Sequence, residues 1–168
     1  NEMNELSGRI HQGTSRLVAL VDDLLSFSRT DKQDIRITTF DLREAALDCL
    51  SLLDTSERRL EITLPQPGEA IVQADPSMFR VVLTNLISNA LKFTPAGGRV
   101  EVAALDAPGG ALLAVSDTGV GISPEELTRL SRAFEQGDAG KRQKGAGLGL
   151  SVVRAFAELH GGRLEIES

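Results

Sequence analysis

The chain has 168 residues, 41% of them hydrophobic and 25% charged, and a net charge of −6. That is the make-up of a soluble globular protein with room for one core and an extra element. The acidic balance and the lack of a Lys/Arg cluster argue against a nucleic-acid partner, and no apolar run reaches the length of a membrane span.

Residues 1 to about 29 read as one long helix. Leu6, Ile10, Gly13, Leu17, Leu20, Leu24 and Phe27 recur at alternating spacings of four and three, a heptad seam suited to packing in a bundle. Val18, Val21 and Leu25 widen the stripe, so the helix needs a partner hairpin or a second subunit. After "SRTDKQD" the pattern changes. "IRITTF" alternates as a strand, and Asp41 is placed to cap the helix "LREAALDCLSLLDTSERR". Within that helix Cys49 cannot form an internal disulfide and reads as a core thiol.

"LEITL" and "AIVQA" are short strands on either side of the turn-rich "PQPGE". Asp75 caps a second helix with Pro76 at its first position, running through "SMFRVVLTNLISNALKF". "TPAGG" leads to the strands "RVEVAAL" and "ALLAVSD", joined by "DAPGG". Ser123-Pro124-Glu125-Glu126 is a capping box opening a short helix. A polar loop spans 137–144, a last helix runs from about Leu148 to "HGG", and "RLEIES" reads as a final strand. Strands and helices alternate irregularly. The expected fold is therefore α+β: a two-layer α/β sandwich of one mixed sheet with helices on one face, preceded by a bundle-type helix. The expected domains are 1–30 and 31–168.

Three stretches carry chemistry. Asn85, Asn89 and Lys92 stand at i, i+4 and i+7 and share one helix face. An amide oxygen suits a hard cation such as Mg²⁺, which fills its shell with waters and phosphates. Two satisfied core or capping asparagines would give the same pattern. In "DTGVGI", Asp117 ends an apolar strand, and Gly119 and Gly121 allow the backbone to turn tightly. An ionised Asp is acceptor-only, as an exocyclic amino group requires, although a plain Asx turn reads alike. In "KGAGLGLSVVRAF", glycines run into a helix, a common way to hold phosphate. Gly149 is followed by Leu150, which excludes a Walker loop, and the G-x-G-x-G spacing is not the dinucleotide fingerprint.

Taken in order, "NLISNALKF", "DTGVGI", "FEQ" and "GAGLGLS" resemble the N box, first glycine box, F box and second glycine box of the sensor histidine kinases. Those are members of the GHKL superfamily with the Bergerat ATP-binding fold. Residues 1–29, with "RLVALVDDLLSFSR", resemble the second helix of that family's dimerisation and phosphoacceptor hairpin. The tail "LGLSVVRAFAELHGGRLEIES" is similar to alphaproteobacterial cell-cycle kinases of the DivJ/PleC type.

The resemblance implies ATP and Mg²⁺ as ligands. Asn89 would be the main metal ligand, with Asn85 beside the metal and terminal phosphate and Lys92 on a phosphate. Asp117 would read the adenine amino group, flanked by Gly119 and Gly121. Phe93 would stack on the base, where the family often has Tyr. Phe134 would anchor the 137–144 lid, which carries Lys141, Arg142 and Lys144; as a charged loop it could equally be merely solvated. Gly145, Gly147, Leu148 and Gly149 would hold the triphosphate.

The implied function is transfer of the γ-phosphoryl of Mg-ATP to a histidine, then to an aspartate of a response-regulator receiver domain. The parent would be a homodimer through its hairpin, cytoplasmic, with any membrane attachment through a segment outside this stretch. His11 lacks the acidic and "RTPL"-like context of a phosphoacceptor and His160 reads as structural. The phosphoacceptor, the first hairpin helix and the family's last strand are therefore expected outside these residues. Two alternatives remain: a nucleotide-binding scaffold without phosphotransfer, and an ATP-hydrolysing relative. The hydrolytic relatives resemble each other in a Glu one turn before the metal-binding Asn, a place held here by Asn85.

Overall fold

The computed structural model describes residues 35–53, 59–135 and 148–168. The helix expected over 1–29 and the lid loop of 137–144 lie outside these residues. Arg36–Ser168 form one compact unit. Its elements in chain order are β1 (Thr38–Asp41), α1 (Leu42–Ser51), β2 (Glu61–Thr63), β3 (Ile71–Ala74), α2 (Pro76–Phe93), β4 (Arg99–Ala107), β5 (Gly110–Asp117), α3 (Pro124–Glu135) and α4 (Leu148–Leu159).

The helix starts follow their capping residues. Asp41 Oδ1 accepts the N–H of Arg43 at 2.8 Å, opening α1. Asp75 Oδ1 accepts the N–H groups of Ser77 and Met78, and Pro76 occupies the first position of α2, where no N–H is needed. Ser123 Oγ accepts the N–H of Glu126 at 3.2 Å, as a capping box requires. The helix ends are equally local. Pro95 biases Thr94 to an extended conformation, and α2 stops there. Helix α1 is shorter than its apolar pattern suggests. The N–H groups of Leu52 and Leu53 turn back to the carbonyls of Cys49 and Leu50, tightening and closing the last turn.

The α/β architecture is the one expected, and among the described residues the strands lie in two sheets rather than one. β1 pairs antiparallel with β3; β2 pairs parallel with β4, and β4 antiparallel with β5. β2 and β3 are neighbours in sequence but do not pair. Pro65 and Pro67 between them donate no N–H, and the connection is held to the start of α1 instead. There the Arg43 guanidinium donates to the Pro65 carbonyl at 2.8 Å, and Asp41 Oδ2 accepts the N–H of Gly68 at 2.7 Å. The segment "RLEIES" alternates like a strand yet joins no ladder among the described residues. Only Leu164 and Ile166 are partly covered, and the hydroxyl of Ser168 reaches the main-chain N–H of Ile122. Alternation creates one apolar face; it does not supply a partner edge.

The core lies where α1 and α2 pack on the strands. Leu42, Ala46 and Cys49 of α1 meet Leu83, Ile87, Ala90 and Leu91 of α2, with Val72 of β3 and Val100 and Val102 of β4. Leu83 and Ile87 are fully buried, each contributing roughly 1.5–3 kcal/mol. This face fixes the rotation of α2 and turns Asn85, Asn89, Lys92 and Phe93 to the opposite side. Helix α4 packs along α2 and buries Val152, Val153 and Phe156.

Candidate functional site

Along the non-core side of α2, Asn85 and Asn89 are half-buried, and Lys92 and Phe93 are exposed. The Asn85 amide nitrogen donates to the Val81 carbonyl at 2.8 Å. Its oxygen therefore faces outward, and the first turn of α4 is fitted against it. A Cβ built on Gly149 would stand 2.5 Å from Asn85 Oδ1. With Asn85 in this rotamer, the close approach of α4 leaves no room for a side chain at position 149. Asn89 makes no side-chain hydrogen bond with another described residue and presents a second amide one turn further on. The positive end of the α4 dipole thus meets an amide group near the middle of α2, with the second amide one turn further along.

The C-terminal end of α2 meets the loop after β5. A Cβ on Gly119 would lie 2.7 Å from the Phe93 carbonyl oxygen and 2.5 Å from Asp117 Oδ1. The N–H of Val120 donates to the same Phe93 carbonyl at 3.3 Å. Gly121 takes φ 72°, a conformation that glycine adopts without strain. Asp117 is exposed, and its Oδ1 accepts the N–H of Gly119 at 2.8 Å. The Asx turn is therefore real, and it holds one carboxylate oxygen while leaving Oδ2 directed elsewhere. The ammonium of Lys92 lies 4.9 Å from the Phe93 ring centroid.

Eight residues of helix separate Asn85 from Phe93, about 12 Å. The result is an elongated site: a carboxylate and an exposed aromatic ring at one end, amide oxygens and a helix N-terminus at the other. Of the residues singled out in the sequence, Asn85, Asn89, Lys92 and Phe93 stand on α2, Asp117 ends β5, Gly119 and Gly121 lie in the loop after it, and Gly149 is in the first turn of α4. Leu148 is the first residue of α4 and Phe134 falls within α3. Lys144, Gly145 and Gly147 lie outside the described residues. Among the described residues no group of three or more His, Cys, Asp or Glu side chains is placed to hold a metal ion.

Sequence reasoning overlooks Thr94, Gly98 and Thr118. Thr94 is 1% exposed and its hydroxyl donates to the Ala90 carbonyl at 2.6 Å. A Cβ on Gly98 would collide with the Thr94 methyl and approach Thr118 Oγ1 to 3.0 Å. The signals are a glycine directly after the turn that follows α2 and a threonine directly after Asp117. His160, expected to be structural, is a two-way bridge: Nδ1 lies 2.7 Å from the Phe156 carbonyl and Nε2 accepts the N–H of Asp75. Gly161, at φ 76°, and Gly162 close α4 by donating to the carbonyls of Glu158 and Ala157.

Residues 74–168 match the family described as "Histidine kinase-, DNA gyrase B-, and HSP90-like ATPase". Over 171 aligned residues the chain is 46% identical to Histidine protein kinase DivJ of Caulobacter vibrioides, covering 98% of this chain and 28% of that protein. It is 37% identical to the Non-motile and phage-resistance protein of the same species, covering 95% of this chain and 20% of that protein. The chain thus spans between a fifth and a third of the length of these relatives. A crystal structure of full-length ShkA in complex with AMPPNP superposes with a TM-score of 0.66 at 28% identity, over 96% of this chain and 35% of that chain. The histidine kinase domain of the E. coli osmosensor EnvZ gives a TM-score of 0.53 at 29% identity, over 77% of this chain and 79% of that chain.

Proposed function

The chain belongs to the histidine kinase-, DNA gyrase B- and HSP90-like ATPase family, and on that premise we propose that it is the ATP-binding catalytic part of a sensor histidine kinase. It positions Mg-ATP so that the γ-phosphoryl group reaches a histidine and then a response-regulator aspartate. The observation that carries this reading is the double fit of α2. Gly149 is seated on Asn85 midway along the helix and Gly119 on the Phe93 carbonyl at its end, which sets a helix N-terminus and a carboxylate along the same helix. The ShkA structure, similar over nearly the whole chain, holds an ATP analogue.

In this reading Asp117 accepts from the adenine amino group through the oxygen not engaged by Gly119. Phe93 covers the base, and the first turn of α4 faces the phosphates. The donor set fits Mg²⁺, because the Asn85 nitrogen is tied to Val81 and leaves its oxygen, the atom a hard cation takes. Asn89 would be the main metal ligand and Asn85 its neighbour. The ion would offset phosphate charge, and the protein's own share is positioning, since phosphoryl transfer asks little covalent chemistry of it. The hydrolytic alternative lacks its base, because the Asn85 amide cannot take a proton from water near neutral pH. The parent protein acts as a dimer through its helical hairpin and passes phosphate to a receiver domain. Among the described residues no helix is long and apolar enough to cross a membrane.

Calorimetric titration with ATP, with and without Mg²⁺, tests the reading on the chain and on Asn89→Ala. The substitution should abolish most of the metal-dependent gain in affinity while leaving metal-free ADP binding in place. Equal Mg²⁺ dependence in both proteins would overturn the assignment of Asn89.

A further inference from the structure

We propose that Thr118 is a positioning residue for recognition of the base: its hydroxyl fixes where β5 ends, and so where the Asp117 carboxylate stands. The inference rests on the nucleotide-site reading above. The β4–β5 ladder has its last regular rung at Val100 and Asp117. In the same register the next pair is Arg99 and Thr118, and an antiparallel pair at that point exchanges two main-chain hydrogen bonds. Only one of them is conventional. The N–H of Thr118 donates to the Arg99 carbonyl at 3.0 Å, but the N–H of Arg99 donates to Thr118 Oγ1 at 2.8 Å.

The hydroxyl stands in for the carbonyl of its own residue. That carbonyl is thereby released from the ladder, and the backbone turns away at Gly119 without stranding a donor on β4. The turn brings Gly119 onto the Phe93 carbonyl and its N–H onto Asp117 Oδ1. Oγ1 keeps this place because Gly98 has no side chain: a Cβ there would meet the Thr94 methyl and come within 3.0 Å of Oγ1. The orientation of Asp117 is therefore set from behind, by a neighbour that need not touch the nucleotide.

The test measures binding of ADP, of inosine diphosphate and of inorganic tripolyphosphate to the 168-residue chain and to Thr118→Val, Thr118→Ala and Thr118→Ser, with thermal melts of each. Inosine carries a carbonyl where adenine has its amino group, so it reports on the carboxylate's aim. Thr118→Val and Thr118→Ala should weaken ADP roughly three- to tenfold, the worth of a hydrogen bond. Tripolyphosphate should be unaffected, so that the preference for ADP over inosine diphosphate narrows. Thr118→Ser, which keeps the acceptor, should restore it. A merely structural threonine would lower all three affinities together with the melting temperature, and that result overturns the proposal. So does an unchanged ADP preference in the alanine and valine variants, or a serine variant that behaves as they do. If the unsubstituted chain binds no ADP, the nucleotide reading fails and this inference with it. If the valine variant does not melt cooperatively, the alanine and serine pair decides.

Discussion

Nε2 of His160 accepts the main-chain N–H of Asp75 at 3.1 Å, joining the last turn of α4 to the N-cap of α2 across 85 positions of chain. The same ring holds the Phe156 carbonyl through Nδ1, and the Asp75 carboxylate caps α2 while its Oδ2 accepts the N–H of Arg36 at 3.0 Å. The helix bearing Asn85 and Asn89 and the helix opening at Gly149 are thus clasped far from the site and fitted together at it. Their relative placement is over-determined, as a site that works by positioning requires.

Acid should loosen this clasp. Burial alone would raise the Asp75 carboxyl, but the N–H groups of Arg36, Met78 and Ser77 and the nearby His160 outweigh it and hold it below the usual 3.8. The unfolded chain then takes up the proton first. The stability Asp75 contributes is present above pH 3.8 and lost as pH falls through the lowered value. Urea melts at successive pH values should show Asp75→Asn with a flatter acid limb than the unsubstituted chain. Asp75→Ala should cost about 0.5–2 kcal/mol at neutral pH, as the loss of a cap does. An acid limb unaltered in Asp75→Asn would remove Asp75 from the account.

Asp117→Asn should weaken ADP by about ten- to a hundredfold, the worth of a hydrogen bond to a charged group. The Asx turn sharpens the reason. With the Asn oxygen held by the N–H of Gly119, as Asp117 Oδ1 is now, the amide presents its NH₂ to the adenine amino group, donor against donor. Tripolyphosphate should bind as before. ADP affinity within about twofold of the parent, a difference of less than about 0.5 kcal/mol, counts against Asp117 as the base reader.

Gly149→Ala separates stability from binding. Alanine favours a helix over glycine by about 1 kcal/mol, but its Cβ would meet Asn85 Oδ1 at 2.5 Å. That atom is the end of a side chain and can swing away, so the melting temperature should hold or rise slightly. The displaced amide should then weaken Mg-ATP more than ADP without metal. Paired melts and titrations read both effects, and equal loss for the two ligands would refute the coupling between Gly149 and Asn85.

Much of the fold and the site is legible in the amino-acid sequence, because it is local. Asp41, Asp75 and Ser123 are cap residues at the edge of apolar patterns, and each caps the helix expected of it. The face shared by Asn85 and Asn89 follows from helix geometry once Leu83 and Ile87 are assigned to the core. Pairing is not local. The alternation of "RLEIES" does not reveal that no strand among the described residues receives it, and two prolines cannot be weighed against a sheet whose register is unknown. The resemblance puts Lys92 on a phosphate, and the motif does not reveal that its ammonium lies 4.9 Å from the Phe93 ring centroid. Thr118 carries no chemistry of its own and becomes visible only once the N–H of Arg99 is seen to need an acceptor.

The two ends of the site draw on different lengths of chain. The fit of Gly119 on Phe93 and the Asx turn of Asp117 need nothing beyond the loop after β5. The Asn85–Gly149 fit and the His160 clasp need all of α4. On a ribosome, where the N-terminal part emerges first, the contacts around Asp117 can therefore form while the partner of Asn85 is still being made. The closure across 85 positions adds its loop-entropy cost and makes the docking of α4 on α2 a late step of folding.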